Sequence, residues 1–242
     1  MSIGTVDETQ RRAGTVVGVT YLFAMAVSIF AEGFVGGRLI AGGDAAATAR
    51  NILAHETLFR LATAGSLIIV VSDVALITAL YVILRRVNEP AALFAAFVRL
   101  MGTAIYATAA LNYLDALRLL GGAGYLHPIG ADQVQAWARL SIASYSAGQG
   151  VSFVYLGVGS TVFGYLWVRS NYVPRSLAVL GVFASFILAG GALTFVLSPT
   201  IWAMIFPAYM VPLFFFEVGM GIWLLVKGLR PGAPRVTPAV AG

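Results

Sequence analysis

Residues 56–86, ETLFRLATAGSLIIVVSDVALITALYVILRR, hold an apolar run interrupted near its middle by one acid, Asp73. The run is about 26 residues long, and as an α-helix it extends roughly 39 Å, enough to cross a hydrocarbon core about 30 Å thick with some tilt. Hydrocarbon offers backbone amides no partner outside their own helix, so such a stretch must be a transmembrane helix. A carboxylate at its midpoint is costly unless it is paired or hydrated, which makes Asp73 the first residue to explain.

Five other segments have the same character. With the first they place six spans at about 13–34, 59–84, 91–117, 143–168, 174–197 and 201–226. Only 10% of the chain is charged and its mean hydropathy is +0.89, against roughly 25% charged residues in soluble domains. A soluble enzyme is excluded. The reading is all-α: a polytopic six-transmembrane-helix bundle over 13–227, after a polar lead at 1–12 and before a disordered tail at 228–242. Arg11 and Arg12 precede the first span as in a signal peptide, but the apolar run is too long for one and no Ala-x-Ala site follows, so the span is read as retained.

The net charge of +5 lies at span ends rather than in a basic stripe with interleaved aromatics, which argues against nucleic acid. If the spans alternate, Arg11, Arg12, Arg85, Arg86, Arg169, Arg175, Lys227, Arg230 and Arg235 share one side, and Arg38, Arg50, Arg60, Arg118 and Arg139 the other. The larger set lies closer to span ends, so both termini are expected in the cytoplasm of a multi-pass plasma-membrane protein. Trp202 and Tyr209 at one end, and Trp167, Tyr172 and Trp223 at the other, are expected to form aromatic belts.

Between spans one and two, Asp44 ahead of three alanines reads as an N-cap, opening a short extracytoplasmic helix that runs into span two. Asp132 is expected to cap a second such helix before span four, and the likeness of the two segments suggests tandem hairpins as a parallel repeat. Pro90 follows Arg85 and Arg86 closely, so spans two and three form a hairpin. Asp73 lies roughly 18 Å from Arg85, and Arg99 roughly 14 Å from Pro90, so the two charges share a depth and can pair. Glu217, roughly 15 Å from Lys227 in span six, has that depth too.

Asp73, Arg99 and Glu217 are therefore the ligand-binding or ion-pair candidates. Glu32, Arg60, Asn112, Asp115, Tyr145 and Gln149 form a candidate polar layer nearer the extracytoplasmic side. In span one Gly14 and Gly18 suit close packing, and in span four the density of glycine and serine suits either packing or a cavity lined by bare backbone. Pro207 and Pro212 should kink or break span six.

No catalytic constellation is legible. His55-Glu56 lacks the second histidine of a zinc helix, His127 lies alone beside Pro128, cysteine is absent, and no Gly-x-Ser-x-Gly turn occurs. No metal or cofactor is indicated, and enzyme readings, haem ligation by His55 and His127 included, rank last. The leading reading is binding or transport of a small solute through a midplane polar pocket. The alternative is a structural or regulatory membrane subunit braced by a buried salt bridge. Beyond the lipid bilayer, the expected partners are a small solute, a second copy or another membrane protein.

The run from GGRLIAGGDAAATARNILAHE through LFRL, Asp73, LYVILRRVN and Arg99, continuing to GYLWVRSNYVPRSLAVLG, resembles a bacterial multi-span membrane family catalogued as domain of unknown function 4386. The resemblance implies that Arg60, Asp73 and Arg99 are typical positions of that family. It implies a multi-span fold and no activity, and it does not carry over Glu217.

Overall fold

A computed structural model describes residues 6–122 and 130–231. Six helices are long and apolar enough to cross a membrane: Glu8–Leu39, Glu56–Leu84, Glu89–Leu120, Ala131–Ser170, Arg175–Leu197 and Ala208–Val226, spans one to six below. No strand occurs among the described residues. His127, the Pro-rich tail beyond 231 and the first five residues lie outside them.

Each span packs against its neighbours in sequence, and span six closes onto span one, so the six helices form a ring. Span two also reaches span four, and no separation into two hairpin units is evident in this ring. Both described ends of the chain lie at one end of the bundle: Gln10 donates to the Ile83 carbonyl (3.2 Å) and Arg230 N–H to the Tyr172 carbonyl (2.8 Å). Span one begins earlier than expected. Asp7 and Gln10 form a capping box there, so Glu8 to Arg12 are its first helical residues rather than an unfolded lead.

Asp44 does cap the short helix Ala45–Ala54, accepting from Ala47 N–H at 2.8 Å. That helix does not run into span two, because His55 breaks the backbone at φ −132° and ψ 40°. The second short helix is not separate either. Span four starts at Ala131 after Gly130 and continues unbroken to Ser170, with Asp132 in its first turn instead of at the cap.

The proline prediction divides. The chain breaks at Phe206-Pro207, between a short helix Pro199–Ile205 and the 3-10 turn Ala208–Met210. Pro212 sits in the first turn of the helix Val211–Val226, where a missing N–H costs nothing, so it does not kink the span. The glycines of span four meet neighbouring backbone: a Cβ on Gly157 would lie 2.6 Å from Ala189 N, and one on Gly159 2.8 Å from the Ala95 carbonyl oxygen. They permit close packing of span four against spans three and five. Gly18 is met by Gly221 of span six.

Two apolar cores result. The core at the terminal end draws on all six spans, through Val17, Leu80, Ala95, Phe163, Trp167, Ala184 and Met220 among others. The core at the other end draws on spans one to four and the short helix Ala45–Ala54, through Val35, Ile52, Phe59, Tyr113 and Ile142. Trp167, Tyr172 and Tyr209 are buried in the bundle instead of facing a lipid belt. Their rings fill space between helices that glycines bring close, as where Gly191 abuts Tyr209.

Candidate functional site

The hairpin of spans two and three brings its charges together. Asn88 caps span three by accepting from Ala91 N–H (3.0 Å), and from that start Arg99 reaches the level of Asp73. The Arg99 Nη2 donates to Asp73 Oδ1 and the Thr103 hydroxyl to Asp73 Oδ2, while Arg99 Nη1 donates to Ser160 Oγ of span four at 3.2 Å. The side chains of Arg99 and Asp73 are 3% and 15% exposed. Taking both from water is costly, and the two hydroxyls recover part of that cost by satisfying lone pairs and N–H groups that the ion pair leaves over. Arg99 Nε finds no partner among the described residues.

Glu217 completes the charge cluster from span six, within Coulombic reach of both Arg99 and Asp73. It is half-buried, and among the described residues it makes no hydrogen bond and no ion pair. The Tyr21 hydroxyl of span one lies beside Arg99, and the Tyr21 ring meets Phe216 edge to face at 6.0 Å. Five spans thus contribute to one polar level holding two acids and one base.

Farther from the termini lies a second cluster. Glu32 sits in a π-helical stretch, Ile29–Gly36, that widens span one, and such stretches often occur at functional sites. Its carboxylate accepts from the Tyr145 hydroxyl and, at 3.3 Å, from that of Tyr106. The two tyrosine oxygens are 2.8 Å apart, Ser66 Oγ is 3.3 Å from Tyr145, and Gln149 lies beside Glu32. Tyr113 stacks on Tyr145 at 3.8 Å and fixes its ring. Tyr21, Met25, Ser28 and Glu32 follow one another at helical spacing, so a single stripe of span one connects the two clusters.

The expected polar layer is therefore brought together only in part. Glu32, Tyr145 and Gln149 meet. Arg60 pairs instead with Glu56 one turn away (2.7 Å), Asp115 with Arg118 (3.1 Å), and Asn112 donates to the Ala109 carbonyl (3.0 Å). The first two are exposed pairs of the kind that contribute little. Tyr106, Ser66, Tyr21, Thr103 and Ser160 were missed. Thr103 and Tyr106 continue the face of Arg99 at i+4 and i+7, a signal the sequence offers; Ser160 looks like any small residue of span four.

Tyr145→Phe removes the hydroxyl closest to Glu32 while leaving the stacked ring. The half-buried carboxylate then keeps fewer donors, so the variant is expected to be about 1–3 kcal/mol less stable. Thermal unfolding in detergent checks this, with Tyr113→Phe, whose hydroxyl makes no hydrogen bond among the described residues, as the near-neutral comparison.

Chemically, acids, hydroxyls and one arginine can hold or exchange a cation or a proton. Among the described residues no group of three metal-ligating side chains converges, and exposed His55 is engaged by its ring nitrogen with the Asn51 carbonyl at 3.2 Å. No curated protein and no solved structure matches this chain. A family model described as domain of unknown function (DUF4386) matches residues 16–228, a stretch that holds both clusters and Glu217 of span six; the chain belongs to that family.

Proposed function

We propose that the bundle binds a small solute bearing a positive charge at its midplane and passes it across the plasma membrane, with Glu217 as the binding carboxylate. The observation that carries this reading is the unequal state of the two midplane acids. Asp73 is saturated by Arg99 and Thr103, whereas Glu217 has no partner among the described residues. An intramembrane acid left with capacity to spare is a functional group by default. With both termini cytoplasmic, as the arginine distribution supports, the stripe of span one that carries Glu32, Ser28 and Tyr21 leads inward from the outer face. The core at the terminal end then closes the way beneath it.

The test is thermal unfolding of the purified protein with methylammonium, guanidinium or choline chloride, and potassium chloride as the salt comparison. A ligand at about 100 times its Kd stabilises by about 2.7 kcal/mol, a shift of several degrees for a chain of this size. At least one of the three cations is expected to raise the melting temperature of wild type and not of Glu217→Gln. Identical responses of the two proteins to all three would sink the reading. A second reading, the braced membrane subunit, is favoured by the Asp73–Arg99 pair itself, which has its hydrogen bonds largely filled and stitches spans two, three and four.

A further inference from the structure

The hairpin of spans two and three splays on its outer face toward the loop. A groove of about 210 Å³ runs there, lined by Val74, Ile77, Tyr81, Leu93, Ala96 and Phe97. It faces away from the ring: Val74, Leu93 and Phe97 are exposed on its rim, Tyr81 and Ala96 are half-buried, and Ile77 is buried at its floor. Its walls are apolar: the hydroxyl of Thr78, which also borders it, is turned to the Val74 carbonyl at 2.8 Å. At the loop end stand two charges of opposite sign. Glu89 accepts from the Tyr81 hydroxyl at 3.1 Å, and the Arg85 guanidinium lies over the Tyr81 ring, 5.8 Å from its centre. Both are exposed, and among the described residues Arg85 forms no ion pair, whereas its neighbour Arg86 is taken by Asp7.

We infer that this groove and its two charges are a binding site for a phospholipid with a primary ammonium headgroup, of the phosphatidylethanolamine type. One acyl chain fills the groove, where apolar walls without free polar atoms suit a hydrocarbon chain. The phosphate lies on Arg85, a planar donor suited to phosphate oxygens, and the ammonium lies on Glu89. Tyr81 holds both charges at the interface level, its ring under Arg85 and its hydroxyl on Glu89. A purely anionic lipid would gain Arg85 but bring its charge against Glu89. The pairing of signs thus selects a zwitterion over an anion.

The experiment uses the full chain in nanodiscs made from equal amounts of phosphatidylethanolamine and phosphatidylglycerol with the same acyl chains. The lipids that stay with the protein on release from the disc are weighed by native mass spectrometry. Wild type is expected to retain phosphatidylethanolamine at least threefold over phosphatidylglycerol. Glu89→Gln should bring that ratio to one or below, because Arg85 then acts alone. Ala96→Phe, which fills the groove, should lose the retained lipid of either kind while circular dichroism shows an unchanged helix content. Equal retention by wild type would overturn the inference, and so would a preference that survives both substitutions. A dimer mass that disappears in Ala96→Phe would overturn it as well, since a second copy would then occupy the face.

Discussion

Asp73→Ala is expected to lower the melting temperature by about 6–20 °C, the largest loss from any single polar substitution in the chain. The reason is what remains. Arg99 is 3% exposed and cannot reach water, so deleting its acid leaves a cation in the bundle with Ser160, the Tyr21 hydroxyl and its Coulombic neighbour Glu217 to answer it. Breaking a buried pair by removing one partner costs about 3–5 kcal/mol, and at about 2–4 °C per kcal/mol for a chain of this length the shift is large. Removing both charges tells a different story. Asp73→Leu combined with Arg99→Met is expected to recover most of the loss, because well-packed apolar groups replace buried ion pairs at little cost. Thermal unfolding of Asp73→Leu, Arg99→Met and the double variant, read as a cycle, gives the coupling directly. If the double variant were as unstable as Asp73→Ala alone, the pair would be contributing more than mutual neutralisation.

Gly157→Leu is expected to abolish the folded protein. A Cβ at that position would lie 2.6 Å from Ala189 N and 2.8 Å from the Ser185 carbonyl oxygen, both backbone atoms of span five that no rotamer change can move. Spans four and five would have to separate along the seam where helix packing in a membrane gains most of its energy. The yield of monodisperse protein after detergent extraction is the readout. Gly190→Leu is the comparison: nothing lies within 4 Å of its Cβ direction, so its yield should match wild type. Gly159 combines the two themes, since a Cβ there would lie 2.7 Å from Arg99 Cγ as well as against the Ala95 carbonyl. The small residues of span four let Arg99 sit where Asp73 can reach it.

Much of this architecture was legible because length and apolarity act over whole segments, and six such segments define six spans whatever the side-chain detail. The depth arithmetic that matched Asp73 with Arg99 worked for a related reason: a helix converts sequence distance into height. It could not give azimuth. Arg60, Asn112 and Asp115 have heights near Glu32 but point elsewhere, and their partners are residues of their own helices. The Glu32 cluster was legible only in part: Tyr145 and Gln149 share its depth on span four, whereas Tyr106 and Ser66 carry no charge to mark them, and a tyrosine's apolar body and polar tip fit an interface or a core equally well. Helix ends failed where one residue decided them, as at His55, whose φ and ψ interrupt a pattern that otherwise continues. Whether glycines in span four packed or lined a cavity was undecidable from composition, since both uses need the same absent side chain.

The ring order bears on how the molecule is made. Span one finds its partner face in span six, made after the other five: Gly18 opposes Gly221, and Leu229 covers Gly14. Spans two to five can associate in the order of their synthesis, each against the one just inserted. Until span six arrives, however, the first helix keeps half of its protein-facing surface against lipid, and the Arg99 level lacks its second acid. The ring therefore closes in a single event when span six arrives, and a ribosome stalled or a chain cut before residue 211 would leave an open arc in the bilayer, with Tyr21 and Arg99 along its unsealed edge.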